Sequence, residues 1–242
     1  EQDNIKNVYH GVKEISNNLN NYQFEHLFID NNSIDDTKKI LEEIAHEDKS
    51  VKVIINTRNF GQIRSGIHAL LQTTGDAVII LDSDLEDPVE LIYDFIKYWE
   101  NGYKTVIGVK TDQNENIFMK SIRKLYYGII EKLANIDHIP NFTGFGLYDR
   151  EFIEIIRDIK DPYPYFRGLV TEIGFDRKEI EYFKEKRKKG YSKSNFYTLF
   201  ETAFQGFCNY SMVPLRLATL TGFLIALISI LIAFIYFLWK II

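Results

Sequence analysis

Through the first 110 residues, short apolar runs alternate with longer stretches in which apolar positions recur every three or four residues. Phe24-Glu25-His26-Leu27-Phe28-Ile29, Val51 to Asn56, Ala77-Val78-Ile79-Ile80-Leu81 and Thr105-Val106-Ile107-Gly108 read as strands. Residues 4–20, about Asp35 to His46 and Gly61 to Thr73 read as helices, with Asp3 as a candidate N-cap for the first. Pro88 stands at the first turn of a further helix, where its missing N–H costs nothing. The run from Ala77 to Leu81 has no polar alternation, as expected of a strand covered on both faces of a parallel sheet. Strand and helix alternate about every 25 residues, which predicts an α/β fold with a mostly parallel sheet.

After Lys110 the pattern changes. Residues 117–133 place Ile117, Phe118, Ile122, Leu125, Tyr126, Ile129 and Leu133 on one helical face. Phe196, Leu199, Phe200, Ala203, Phe204 and Phe207 form a second apolar stripe, which predicts a helix lying in a membrane interface. From Leu217 to Trp239 no residue is charged, and at about 1.5 Å per residue this stretch reaches roughly 34 Å, enough to cross a bilayer. Arg216 and Lys240 bracket it, and Tyr236 and Trp239 sit where interfacial aromatics belong. The basic run Lys184, Lys186, Arg187, Lys188, Lys189 and Lys193 lies upstream of the span, which places residues 1–213 on the cytoplasmic side of a cell (inner) membrane. The chain starts without Met, shows no signal peptide and stops just past the span, a pattern expected of a piece of a longer protein.

Composition narrows the choice of partner. A formal net charge of −5 argues against nucleic acid, because phosphate backbones are held by an excess of Lys and Arg. The single cysteine, Cys208, excludes a disulfide framework or a multi-cysteine metal site. In an open parallel sheet, ligands gather at the carboxyl ends of the strands. Asp30 falls at one such end, and Asp82-Ser83-Asp84-Leu85-Glu86-Asp87 falls at another. So many carboxylates in one turn repel each other and call for a cation. With oxygen ligands alone, Mg²⁺ or Mn²⁺ bridging substrate phosphates suits the site. An acidic helix N-terminus before Pro88 would carry the same residues, so the triplet Asp82-Ser83-Asp84 alone does not decide the matter.

Five ordered motifs do. Asp30-Asn31-Asn32-Ser33-Ile34-Asp35-Asp36-Thr37 resembles the Asp-Asp-Gly-Ser-x-Asp-x-Thr motif of family 2 inverting glycosyltransferases. Asp82 to Glu90 resembles the Asp-Ala-Asp-Leu-Gln-Asp-Pro-Pro-Glu signature of the branch that contains dolichol-phosphate-mannose synthases and bacterial polyprenyl-phosphate glycosyltransferases. Arg58-Asn59-Phe60-Gly61, Arg187 to Lys193 and Ser211 to Arg216 are similar to that branch's Arg-Asn-x-Gly, Arg-x-x-Gly-x-Ser-Lys and Ser-x-x-Pro-Leu-Arg. The resemblance implies a GT-A (Rossmann-like) catalytic domain over residues 1–160 with its first strand missing. An acceptor-site loop and amphipathic interface helices would follow over 161–213, and a transmembrane segment over 214–242.

By the same resemblance, Asp30, Asn31, Arg58, Asp82 and Lys110 would bind a nucleotide sugar (UDP- or GDP-linked). Asp82, Asp84 and Glu86 would hold the metal. Arg123, Arg187, Ser192 and Lys193 would bind the phosphate of a polyprenyl acceptor, and Asp82, Asp84 and Arg187 would be catalytic. A homo-oligomer is also expected. Two departures stand out: Asn31 replaces an Asp that often reads the base, and Gly144 stands where an acid is common. A phosphate acceptor is already ionised at neutral pH, so no base is needed to activate it. The alternatives are a processive polysaccharide synthase, whose Gln-x-x-Arg-Trp string is absent, and a nucleotidyltransferase, whose Gly-x-Gly-x-Arg loop is also absent. A non-catalytic membrane scaffold with a degenerate fold would lack metal-dependent nucleotide binding.

Overall fold

A computed structural model describes residues 2–111, 139–161, 164–183 and 213–241. Arg123, Arg187, Ser192 and Lys193, and the stripes over 117–133 and 196–207, lie outside the described residues. The element order is α1 (Gln2–Asn18), β1 (His26–Asp30), α2 (Thr37–Glu47), β2 (Val51–Ile55), α3 (Gln62–Gln72), β3 (Ala77–Ile80) and α4 (Leu91–Glu100). It continues with β4 (Thr105–Thr111), β5 (Phe142–Asp149), α5 (Arg150–Ile159), α6 (Phe166–Glu172), β6 (Arg177–Phe183) and α7 (Val213–Ile241). Asp3 lies inside the first turn of α1 rather than ahead of it. Pro88 precedes α4: its carbonyl accepts from Leu91 N and Val89's from Ile92 N, a tight i→i+3 turn that feeds the helix.

Among the described residues the strands form two sheets. β1 and β2 pair in parallel, and the other sheet runs in the order β3-β5-β4-β6. β4 and β6 are parallel, whereas β5 runs against both β3 and β4. The sheet is therefore mixed, with β5 as the reversed strand. A fully apolar run such as Ala77–Ile80 reports covering on both faces, not the direction of its neighbour.

Packing follows from alternation within the central strand. Val106 of β4 faces a cluster with Ile15, Ile92, Phe95, Phe145, Leu147 and Tyr182. Its neighbour Ile107 faces the other side, against Tyr148, Phe152, Ile153 and Leu169. A third cluster, Ile5, Val8, Phe28, Leu41, Ile44 and Val51, sits over the β1–β2 sheet. Helix α1 spans two clusters, with Ile5 and Val8 in one and Ile15 in another. At its side, Asp48 accepts from Tyr9 Oη at 2.9 Å and Ser50 N at 2.9 Å and pairs with Lys13 Nζ at 2.6 Å.

β5 carries a bulge. Ile107 pairs with Gly146 but Val109 pairs with Phe142, so an additional stretch around Gly144 is left out of the ladder. Gly144 has φ 109°, a region that side-chain-bearing residues rarely enter, and its carbonyl accepts from buried Tyr148 Oη at 2.8 Å. At Gly146 the strands approach so closely that a Cβ would lie 2.5 Å from Val106 O.

Helix α7 is different in kind. Its stretch Leu215–Ile241 is the helix, among the described residues, long and apolar enough to cross a membrane, and none of it is buried against the rest of the chain. Thr219, Thr221 and Ser229 donate to the carbonyls of Leu215, Leu217 and Ile225, each at 2.8 Å. These three hydroxyls are thereby satisfied without water, as a lipid environment requires.

Candidate active site

The carboxyl ends of β1 to β4 bring together most of the described residues singled out from the sequence. Asp30 closes β1 and is only 3% exposed. Both its oxygens accept from Ser33 N, at 3.1 and 3.3 Å, and Asn32 between them takes a left-handed conformation with φ 63°. This is the local turn that Asp and Asn favour. Asn31 points into the neighbouring loop. Its Oδ1 accepts from Ser65 Oγ at 2.8 Å, Phe60 N at 2.9 Å and Asn56 Nδ2 at 3.2 Å, and its Nδ2 donates to Asn59 Oδ1 at 2.8 Å. Asn31 thus ties the end of β1 to the 56–61 loop and to α3. Arg58 is exposed and lies over the Phe60 ring at 4.1 Å.

At the end of β3 the turn 82–87 is charge-crowded. Leu85 at its centre has φ 59°, a strained choice for a side chain of that size, and packs on the cluster below β1. Solvent reaches Asp82, yet the surrounding protein desolvates its carboxyl and Asp84, Asp87 and Glu86 repel its charge. These causes outweigh the attraction of Lys110 and push its pKa up to about 6. Glu86 N donates to Asp84 Oδ1 at 3.1 Å, which holds the turn closed.

Asp87 behaves otherwise. Its side chain is buried, pairs with Lys110 Nζ at 3.1 Å and accepts from Tyr182 Oη. Burial, and then this bond to Asp87, push the Tyr182 hydroxyl far above its ordinary range. Lys110 and Tyr182 are register partners on β4 and β6, so one buried pair fastens the turn to two strands. Lys110, expected from the resemblance to face donor phosphates, here neutralises Asp87. Sequence inspection did not single out Tyr182, because its partner lies 95 positions away.

The donor set suits a hard divalent cation: every candidate is a carboxylate oxygen, and Asp82 is destabilised by like charges around it. Among the described residues no three His, Cys, Asp or Glu side chains converge into a complete metal cage. Asp82, Asp84 and Glu86 therefore do not form a ready-made trio. A site with one or two protein carboxylates completed by substrate phosphates is the usual arrangement for Mg²⁺.

The family model described as "Glycosyl transferase family 2" matches residues 1–157. The chain belongs to this family. It is a glycosyltransferase, and the mixed sheet with its acidic turn is a GT-A fold. Relatives that it resembles include the "Putative glycosyltransferase CsbB" of Bacillus subtilis (strain 168), 32% identical over 94% of this chain and 69% of that protein. The "Bactoprenol glucosyl transferase" of Shigella phage SfX is also 32% identical, over 100% of this chain and 78% of that protein. Among solved structures, the fold is similar to that of the mannosyltransferase PcManGT from Pyrobaculum calidifontis, in complex with GDP-Man and Mn²⁺. That likeness has a TM-score of 0.53 at 19% identity and covers 79% of this chain. The chain spans 55% of that structure's length.

Proposed function

We propose that this glycosyltransferase moves a monosaccharide from a nucleoside-diphosphate donor to a polyprenyl phosphate at the cytoplasmic face of a membrane, with inversion and a divalent metal. The observation that carries the reading is the pairing of a charge-crowded acidic turn with an exposed apolar helix of membrane-spanning length on one chain. The name of the phage relative, a bactoprenol glucosyl transferase, supports a lipid-phosphate acceptor, and the bound GDP-Man and Mn²⁺ of the fold neighbour support the donor class and the metal.

In this reading Asp82 and Asp84 hold Mg²⁺ or Mn²⁺, which when bound would neutralise charge developing on the leaving diphosphate. Asp30 and Asn31 shape the pocket on the β1 side, and Arg58 supplies positive charge at the same edge. Asp87 keeps Lys110 aligned beside the turn. The acceptor phosphate is already anionic, so its oxygen attacks the anomeric carbon without a protein base, from the face opposite the leaving group. Arg123, Arg187, Ser192 and Lys193 are assigned to the acceptor phosphate on the strength of their motifs, and a homo-oligomer remains part of the proposal.

The test is direct. Membranes carrying the protein are supplied with Mn²⁺, undecaprenyl phosphate and a panel of UDP- and GDP-sugars, and lipid products are read by mass. One donor should yield a polyprenyl-phosphate monosaccharide, and Asp84→Ala should lower the rate on the order of a hundred- to a thousandfold while the protein stays in the membrane. Full transfer by that variant would sink the mechanism.

A further inference from the structure

The 56–61 loop holds an amide whose orientation is fixed by groups that can only donate. Phe60 N–H bonds Asn31 at 2.9 Å, so the Asn31 atom there is Oδ1. Gly61 N–H bonds Asn59 at 2.8 Å, so the Asn59 atom there is Oδ1 as well. Asn31 Nδ2 then donates to that same Asn59 oxygen at 2.8 Å. Backbone N–H groups never accept, so neither amide can turn over without setting donor against donor.

This leaves Asn59 facing outward with one kind of group. Its oxygen is used twice inside the loop, the residue is exposed, and among the described residues no hydrogen bond engages its Nδ2. The loop follows β2, and Asn56 N donates to Asp30 O at 2.9 Å, so Asn59 stands at the same strand ends as Asp30. Asn31 has less freedom, because its oxygen already serves three protein donors and one of its two Nδ2 hydrogens serves Asn59.

We propose that Asn59 Nδ2 reads an exocyclic carbonyl on the donor's base, and that Asn31 is the positioning residue that fixes this polarity. The inference rests on the nucleotide-donor reading above. A fixed N–H donor accepts uracil O4 or guanine O6, but meets another N–H in cytosine N4 or adenine N6. The site therefore takes keto bases and rejects their amino counterparts. With Asp at position 31, a carboxylate oxygen would face Asn59 Oδ1 with no proton between them. The Asn59 amide would have to turn over, presenting an acceptor outward and abandoning Gly61 N–H.

The experiment uses the full chain in detergent micelles with Mn²⁺ and measures binding of UDP, GDP, CDP and ADP by calorimetry. The wild type should favour whichever keto nucleotide it binds over its amino counterpart (UDP over CDP, or GDP over ADP) by about tenfold. Asn59→Asp keeps Oδ1 for Gly61 and Asn31 but turns the outward donor into an acceptor that suits cytosine N4 or adenine N6, so it should bring that ratio to one or below. The added charge weakens every diphosphate alike, so it cancels in the ratio. Asn31→Asp should lower the same ratio although Asn59 is intact, a change that mere loosening of the loop would not produce. An undiminished keto preference in Asn59→Asp overturns this inference alone, as does a wild type that binds all four equally. A wild type that binds none of the four overturns the donor reading and this inference with it.

Discussion

Two acidic loops stand side by side at the strand ends, and they solve opposite problems. In the loop after β1, Asp30 turns its oxygens onto Ser33 N and Asn31 engages both ends of its amide with protein partners. In the turn after β3, Asp82 is crowded by Asp84, Asp87 and Glu86, with Lys110 as partial relief. The first loop is finished by its own hydrogen bonds and needs nothing to hold its shape. The second keeps like charges together at a cost in stability, which a proton on Asp82 or a bound cation would lower. Shape and charge are thus divided between the two loops: one is a rigid wall, and in the proposed reading the other is a socket for a charged ligand.

This division can be broken at either loop. The largest effect should come from Asp82→Asn, which lowers transfer on the order of a hundred- to a thousandfold. The same change removes repulsion, so the thermal midpoint without metal should rise rather than fall. A drop in both would mean that Asp82 is structural. Next, Asp87→Ala strands Lys110 in a buried site and should cost about 3–5 kcal/mol of stability, read by chemical denaturation. An unchanged denaturation curve would show that the pair does not anchor the turn.

Smaller effects belong to the wall. Asn31→Ala removes the hub of the 56–61 loop and should cost about 1–3 kcal/mol, with faster amide exchange at Phe60. Unaltered exchange there would contradict the hub. The mildest effect is a pH dependence at His26, on the strand that carries Asp30. Burial, offset in part by Asp48, lowers its pKa to about 4, so the folded form refuses a proton that the unfolded chain takes up near 6.5. The His26 contribution should therefore fall as pH drops from about 6.5 towards 4, while the raised Asp82 carboxyl works in the opposite sense. The stability of His26→Phe relative to the parent chain should accordingly rise as pH falls through that window. Asp48, held low first by Lys13 and Ser50, acts only below this window.

What was legible in the sequence was what lies close together along it. The helices and strands up to Lys110 were readable because each carries its own period, and the 82–87 turn because its acids are contiguous. β5 was not: Gly144 and Gly146 interrupt its alternation, and the bulge is needed only because of what β4 does beside it. β6, Arg177–Phe183, is a charged outer strand with little apolar signal. The role of Asn31 was equally hidden, since its partners come from positions 56 to 65 and the motif suggested a ligand contact. The bond between Asp87 and Tyr182 joins segments that no local pattern links.

The bulge at Gly144 carries a consequence for redesign. An engineer wishing to hand this enzyme a hydroxyl acceptor would want a carboxylate base, and position 144 invites one. The backbone there sits at φ 109°, pinned through its carbonyl by Tyr148, and a Cβ would have room, meeting Phe166 at 3.7 Å in ordinary contact, so the strain lies in the backbone angle. A single codon change would strain the strand before it supplied any base. Widening the acceptor range would mean recutting β5 from Phe142 to Gly146, so the proposed preference for an acceptor that arrives already charged would be written into the backbone.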